Sequence, residues 1–218
     1  MIYCIVPALM LPSVRSDAMT TDAKAGEPKR LHDDYYTALY QAALAFSSSL
    51  ELKEVLQTVV TNIAETMRVK ACVLRLLDAR TGQLQLSAVY GLSSGYLSKG
   101  PVDVEHSPID SESLKGQTVI IPDVRTDTRF QYAEAAKNEG IVSALCVPLE
   151  VRGEAIGVMR VYTGEQCTFH EDDIQFLTVL ARLAALAIEN ANLYESLKSS
   201  YDGVMDVLWG SSLQYSDK

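Results

Sequence analysis

The sequence has little positive charge for its size. Its 19 lysines and arginines are outnumbered by 28 aspartates and glutamates, which gives a formal net charge of -9 over 218 residues. Nucleic-acid binding requires a basic surface that neutralises phosphates, and anionic membrane surfaces attract basic segments for the same reason. We therefore expect neither a nucleic acid nor a membrane as a partner. The length suits one domain with additional helices.

Side chains that form disulfides or ligate metals are scarce. The four cysteines (Cys4, Cys72, Cys146 and Cys167) contain no C-x-x-C pair, and the three histidines show no ligand spacing. This distribution argues against a disulfide framework, a zinc site and a haem site. Cys72 and Cys146 lie within apolar runs, where cysteine is usually a small buried hydrophobe. We infer a reduced, cytoplasmic protein.

Catalytic motifs are also missing. The sequence contains no phosphate-binding loop and no H-E-x-x-H motif, and no Ser-His-Asp arrangement is visible in it. Asp123 and Asp127 are interpreted as loop and helix-cap residues rather than as a catalytic acid pair. We predict that the protein is not an enzyme.

The first 27 residues show no pattern of a folded element. The apolar segment Met1–Leu11 lacks a basic region and is too short to span a bilayer. A polar stretch follows Met19. We expect residues 1–27 to be either a disordered tail or the product of a mis-assigned start, with Met19 as the alternative first residue.

Apolar residues recur at helical spacing in three segments. The first runs from Pro28 to Phe46, and the second runs from Leu52 to Met67. The third begins near His170 and continues past Tyr201, with a one-residue shift of its apolar stripe near Tyr194. A helix that is so long and apolar needs a partner to cover it.

Five β-rich runs lie between these helices, separated by turn signals. They are Val69–Asp78, Leu84–Tyr90, Thr118–Ile121, Ser143–Leu149 and Ala155–Tyr162. The first two and the last two are expected to pair as hairpins. In the second run, Leu84, Leu86, Ala88 and Tyr90 alternate with other residues, which predicts that all four share one face. Short helices are expected near Ser111–Lys115 and at Tyr132–Asn138.

Seven short motifs in this order resemble the GAF family from about Leu50 to Leu197. They are V-L-R-L-L-D (Val73–Asp78), Y-G-L-S (Tyr90–Ser93), K-G-P (Lys99–Pro101), I-P-D-V (Ile121–Val124), S-A-L-C-V-P-L (Ser143–Leu149), I-G-V-M-R-V-Y (Ile156–Tyr162) and A-I-E-N-A-N-L-Y (Ala187–Tyr194). The resemblance implies an α+β fold, with an antiparallel sheet, the N- and C-terminal helices on one face, and a lid over a ligand pocket on the other. It also implies a stand-alone relative of the input modules of bacterial signalling proteins.

Two ligand signatures known in that family are absent. Cyclic-nucleotide-binding members carry an N-K-x-F-D-E motif, whereas Tyr162-Thr163-Gly164 stands where N-K is expected here. Bilin-binding members use a Cys-His pair, and this sequence contains no Cys-His dipeptide. The ligand therefore stays unknown, with no signature for a bilin, a haem or a cyclic nucleotide.

The pattern divides the chain into four parts. After residues 1–27 we expect a dimerisation helix at 28–49, a GAF domain at 50–193, and an extension of a signalling helix at 194–218. The apolar stripes of the terminal helices predict a homodimer, because one patch can then serve both subunits. A signalling protein is the other expected partner.

Strand alternation predicts the pocket face. Val73 and Arg75 share one face of the first strand, and Val158 and Arg160 share one face of the strand that the family fold places beside it. Two guanidiniums directed at one cavity would suit a carboxylate or a phosphate. The alternative is that each arginine pairs with an internal acid such as Asp103, Asp123 or Glu112, or reaches solvent.

Side chains from the lid region complete the predicted ligand site. They are Tyr90, Tyr96, His106, Asp123, Phe130 and Tyr132. The alternative interpretation makes Tyr90 and Phe130 core residues and His106 a solvated loop residue.

Three functions remain open at this stage. The first is a non-enzymatic, dimeric sensor or regulatory module that binds a small ligand, anionic if both arginines contact it. The second is an enzyme like the GAF-family reductases of free methionine-(R)-sulfoxide, which use cysteine thiols. The third is a dimerisation module without a ligand.

Overall fold

We describe the fold from a computed structural model that covers residues 27–48, 51–98, 100 and 102–210, with side chains at 33–46, 51–98, 100 and 102–205. The tail predicted at residues 1–27 lies outside this range except for Glu27, the first residue of the first helix. The helices and strands of the protein, in chain order, are α1 (Glu27–Ser48), α2 (Leu52–Thr66), β1 (Ala71–Asp78), β2 (Gln83–Tyr90), α3 (Ser94–Leu97), β3 (Val102–Asp103), α4 (Pro108–Leu114), β4 (Val119–Ile121), α5 (Ala133–Glu139), β5 (Ser143–Val151), β6 (Glu154–Thr163) and α6 (Glu171–Gly210).

The strands form one antiparallel sheet of six, in the order β3-β2-β1-β6-β5-β4. The two predicted hairpins meet at the centre, where β1 pairs with β6. The turn of the second hairpin is Arg152-Gly153, and both residues have positive φ, which is the conformation of a type I′ turn. The predicted α+β fold is confirmed.

The long loop region contains more structure than the sequence indicated. The short helix α3 and the edge strand β3 were not predicted. The helix expected near Ser111 begins three residues earlier, with Pro108 in its first turn. Proline suits that position because its missing N–H would have no partner within the helix.

Two apolar cores occupy the two faces of the sheet. On one face, α1, α2 and α6 cover a core that includes Leu74, Leu145 and Met159. On the other face, the helices and loops of residues 92–141 cover a second core that includes Val73 and Val158. This face is called the pocket face below.

A β-bulge changes the predicted orientation of β2. Leu74 pairs with Ala88, but its neighbour Arg75 pairs with Leu86, so the register shifts by one residue at this point. Directly opposed residues share a face, so Leu86 lies on the pocket face with Arg75, whereas Ala88 lies on the helix face. The prediction that all four alternating residues of this strand share one face is therefore wrong.

The centre of the sheet also depends on a close backbone approach at Gly157. A Cβ atom there would lie 2.2 Å from the carbonyl oxygen of Arg75 and 3.0 Å from the Cα of Leu76. Since neither backbone atom can move without disrupting the pairing of β1 with β6, only glycine fits at this position.

We therefore expect Gly157→Ala to lower the free energy of unfolding by about 3 kcal/mol, the upper part of the range for overpacking. Gly203→Ala is the matched control, because no atom lies within 4 Å of its Cβ position. Alanine should stabilise that exposed helical site by about 0.5–1 kcal/mol. Urea unfolding at one protein concentration measures both. Equal stability of the two variants would contradict the steric argument.

The last helix is 40 residues long and has two different halves. It begins where predicted, and the backbone N–H of His170 donates a hydrogen bond to Oδ2 of Asp173 at 2.8 Å, as in a capping box. Its first half packs on the sheet through buried residues such as Leu177, Ala184 and Ile188. The segment Glu171–Met205 is long and apolar enough to cross a membrane by length and composition alone, and packing on the sheet accounts for the apolar residues of its first half.

Candidate functional site

The pocket face contains a small, partly open cavity, called the inner cavity. Its lining residues come from β1, β6, α4, the edge strand and the segment before α5: Val73, Arg75, Val102, Ser107, Ile109, Asp110, Phe130, Gln131, Tyr132, Val158, Arg160 and Tyr162. The space in which a water molecule can be centred is about 20 Å3, which is room for about one or two waters. The inner cavity is thus polar but too small for most organic ligands.

A larger, more open depression adjoins the inner cavity and shares Arg75 with it. This outer depression has a volume of about 280 Å3. It is lined by Arg75, Gln83, Leu84, Gln85, Leu86, Leu97 and Gly100. The bulge in β2 is what brings Leu86 to this face.

Arg160 forms a buried ion pair with Asp110. Its Nη2 donates to Oδ1 of Asp110, and the two side chains are only 9% and 2% exposed. Ser107 Oγ donates to the other carboxylate oxygen at 2.6 Å. The guanidinium carbon also lies 5.9 Å from the ring centre of Phe130.

Arg160 keeps its positive charge over the ordinary pH range. Burial by itself lowers the pKa of Arg160, but the adjacent Asp110 carboxylate, with smaller contributions from Cys146 and Tyr162, raises the pKa well above its usual value. The acids proposed as partners for the arginines, Asp103, Asp123 and Glu112, are therefore not the ones that neutralise Arg160.

Arg75 has a different environment. It is 8% exposed, and its Nη1 donates one long hydrogen bond of 3.4 Å to the carbonyl oxygen of Leu84. Among the residues that the structure describes, no carboxylate lies within ion-pairing distance of Arg75. The predicted placement of Arg75 and Arg160 on one face is observed, but only Arg160 has an internal counter-ion.

Most of the predicted site residues lie together. Val73, Arg75, Phe130, Tyr132, Val158 and Arg160 all line the inner cavity. Tyr96 is buried behind it in α3, with its ring edge-on to Tyr162 at a centroid distance of 6.4 Å. Burial raises the pKa of the Tyr96 hydroxyl, so this phenol stays protonated. The ligand-binding role of these residues remains a prediction.

Three predicted site residues lie elsewhere. The bulge turns Tyr90 to the helix face, where it packs against the other core. His106 is exposed on the surface, with Nδ1 3.0 Å from Oδ2 of Asp103. Asp123 forms two hydrogen bonds with the side chain of Arg125, at 2.8 and 2.6 Å. Those hydrogen bonds lower the pKa of Asp123 to about 2.

The sequence reasoning missed Asp110, Ser107, Gln131 and Tyr162. Asp110 follows Pro108 at the spacing of an ordinary helix start, where an acid usually faces solvent and favours the positive end of the helix dipole. Only the tertiary position of α4 against β6 directs this carboxylate inward. The proline itself was the available signal for an earlier start of the helix.

Two of the three described cysteines, Cys72 and Cys146, are buried thiols. Cys72 is buried on the helix face as predicted, and burial raises the pKa of its thiol. Cys146 is fully buried on the pocket face beneath Arg160, and burial raises the pKa of its thiol as well, despite the nearby guanidinium. No group of three or more potential metal ligands occurs within the described part of the chain.

The fold and this site together define a module with helices on one face of a sheet, and a small polar cavity with an adjoining open depression on the other. The family model of the GAF domain matches residues 51–188. The chain belongs to the GAF domain family.

Two curated relatives cover most of this chain. A methyl sulfide methyltransferase-associated sensor of Methanosarcina acetivorans is 27% identical over 176 residues, covering 75% of this chain and 18% of the relative. The nitrogen fixation protein VnfA of Azotobacter vinelandii is 23% identical over 164 residues, covering 72% of this chain and 31% of the relative. The chain thus spans less than a third of the length of either protein. Such homologues support the assignment of this chain as a signalling sensor module.

Solved structures show the same fold. The GAF domain of a phosphoenolpyruvate-protein phosphotransferase from Coxiella burnetii has a TM-score of 0.68 at 21% identity, covering 75% of this chain and 98% of that one. The free methionine-R-sulfoxide reductase of Neisseria meningitidis, solved with its substrate, has a TM-score of 0.63 at 20% identity, covering 73% and 91%. At these identities the likeness concerns the fold alone.

Proposed function

We propose that this chain is a non-enzymatic sensor module that binds a small molecule on the pocket face of the sheet and acts as a homodimer through its terminal helices. The observation that carries the proposal is Arg75, a buried guanidinium without a carboxylate partner among the described residues, placed between the inner cavity and the outer depression. A buried charge that is not neutralised is costly for folding, so a binding role explains why it is present.

The opposite face supplies a route for the signal. Strands β1 and β6 contribute Arg75 and Arg160 to the pocket face and Leu74 and Met159 to the core under α6. A ligand that changes the position of these strands would thereby alter the packing of α6. Because ligand and output lie on two sides of the same strands, the geometry suits a signalling sensor.

The terminal helices supply the surface for a dimer. Tyr36, Tyr40 and Leu44 on α1 are exposed, as is a stripe on the second half of α6, here called the α6 stripe: Leu193, Tyr194, Leu197, Tyr201 and Val204. Scattered apolar residues are ordinary on a surface, but a continuous stripe of large ones is typical of an interaction surface. A second copy of the chain would cover both sets of residues.

The sensor proposal is tested by native mass spectrometry followed by hydrogen exchange. We expect a small molecule to co-purify with the protein. Returning that molecule to ligand-free protein should slow exchange in residues 83–86 and 94–98, beside the outer depression, and alter exchange in residues 194–208 of α6. Protection at 83–86 and 94–98 without any change in 194–208 would indicate a binding module without signalling output. Absence of any bound molecule would favour a dimerisation module.

The fold of the Neisseria reductase makes a thiol reductase the second candidate. A nucleophilic thiol needs access to the substrate and a lowered pKa, whereas Cys146 is fully buried with a raised pKa. We expect no reduction of free methionine-(R)-sulfoxide by the purified chain with a thiol reductant. Activity that disappears in Cys146→Ser or Cys167→Ser would overturn the non-enzymatic proposal.

A further inference from the structure

Within the described part of the chain, Arg75 and Arg160 leave one positive charge on the pocket face without an internal partner. Asp110 occupies the guanidinium of Arg160 and is itself held by Ser107. The one hydrogen bond that Arg75 forms through its side chain to a described residue is the long one to the Leu84 carbonyl oxygen. Most N–H donors of this buried guanidinium are therefore available to a ligand, and its planar fork suits two oxygens at once.

The same geometry limits the charge of that ligand. Asp110 contributes a negative charge to the lining of the inner cavity that Arg75 also lines. A doubly charged group such as a phosphate would meet one free cation together with this carboxylate, and like charges at close range repel. A group with a single negative charge is the better match.

The surroundings of Arg75 also indicate the shape of the ligand. The inner cavity holds only one or two waters, so an organic body must lie in the outer depression, whose volume of about 280 Å3 is at the small end for ligand sites. Leu84, Leu86 and Leu97 provide an apolar lining, and Gln83, Gln85 and Gly100 also border the depression.

From these observations, and building on the proposed sensor function, we propose that the ligand is a small organic monocarboxylate. Its carboxylate binds the guanidinium of Arg75, and its apolar body lies against the leucines of the outer depression.

A matched set of small molecules tests the charge preference. Branched and straight monocarboxylates of about four to eight carbons, their primary amides and the corresponding alkylphosphonates are titrated into 15N-labelled ligand-free protein at pH 8. We expect one or more carboxylates to bind at least about tenfold more tightly than the amide and the phosphonate of the same skeleton. The proposal would be overturned if the amides or phosphonates bound more tightly than the carboxylates. It would also be overturned if no carboxylate had a dissociation constant below about 10 mM.

Arg75→Met is the matching variant, and Arg125→Met is its control because Arg125 is exposed and pairs with Asp123. We expect Arg75→Met to weaken carboxylate binding at least about tenfold and Arg125→Met to leave it unchanged. Loss of binding in both variants would show that it depends on general surface charge. A co-purified neutral or cationic molecule would overturn the carboxylate assignment while leaving the sensor function intact.

Thermal unfolding without any ligand provides an independent readout. Because Arg75 is buried without a counter-ion among the described residues, Arg75→Met should leave the Tm unchanged or raise it by up to about 3 °C. A fall of more than about 5 °C would assign Arg75 to the stability of the fold and overturn its role as a ligand-binding residue.

Discussion

Replacing Asp110 with asparagine is expected to destabilise the fold by about 3–5 kcal/mol, the usual cost of removing one partner from a buried ion pair. Arg160 is 7% exposed and keeps its charge, so the variant leaves a buried cation without its counter-ion. The loss should separate α4 from β6, because Asp110 is the charged contact between them. Urea unfolding followed by circular dichroism measures the change.

Two further variants show whether the cost comes from the charge. Asp110→Leu combined with Arg160→Met removes both charges and should recover most of the lost stability, because apolar residues of similar volume often replace a buried pair without loss. Asp123→Asn breaks the ion pair with Arg125, which lies at the surface, and should leave the urea midpoint almost unchanged. Wild-type stability of Asp110→Asn would mean that another group compensates Arg160.

The second large effect concerns assembly. Leu197 and Tyr201 of the α6 stripe are 70% and 62% exposed. We expect the double variant Leu197→Glu, Tyr201→Glu to convert a homodimer into a monomer. If each residue is a hot spot worth about 2 kcal/mol, the dissociation constant should rise roughly a thousandfold.

Sedimentation at tens of micromolar measures this change, with circular dichroism as a check that the domain stays folded. Ser199→Glu is the control, because it adds a negative charge at an exposed position roughly 200° around the helix from Leu197. A monomeric wild-type protein would overturn the dimer proposal. A dimer that persists in the double variant would show that the interface lies away from the α6 stripe.

Periodicity predicted the long elements well because they bury one face. The stripe of Ile174, Leu177, Ala181, Ala184 and Ile188 has helical spacing, and its residues lie on the sheet. The alternation of Cys72 and Leu74 with Val73 and Arg75 likewise follows from the pleat of a strand with two covered faces. In both cases a local repeat in the sequence indicates which face of the element is buried.

The bulge in β2 has no comparable local signal. The strand reads as a regular alternation from Leu84 to Tyr90, and only the pairing with β1 shows that the register shifts after Leu74. As a result, Tyr90 lies outside the predicted site, and Leu86 lines the outer depression. A one-residue shift reverses every side chain beyond it, so small register errors have large consequences for a site.

The sequence by itself determined the α+β class, the two central hairpins, the order of the long helices and the common face of Arg75 and Arg160. These features depend on spacing within one element, or on the pairing of neighbours in the family fold. Only the tertiary structure decided that Asp110 neutralises Arg160 and that Arg75 has no such partner in the part of the chain that the structure describes. Those two facts depend on where α4 lies against β6, a contact between residues 50 positions apart in the chain. Nothing in the local sequence encodes such a distance, because the packing of two complete elements sets it.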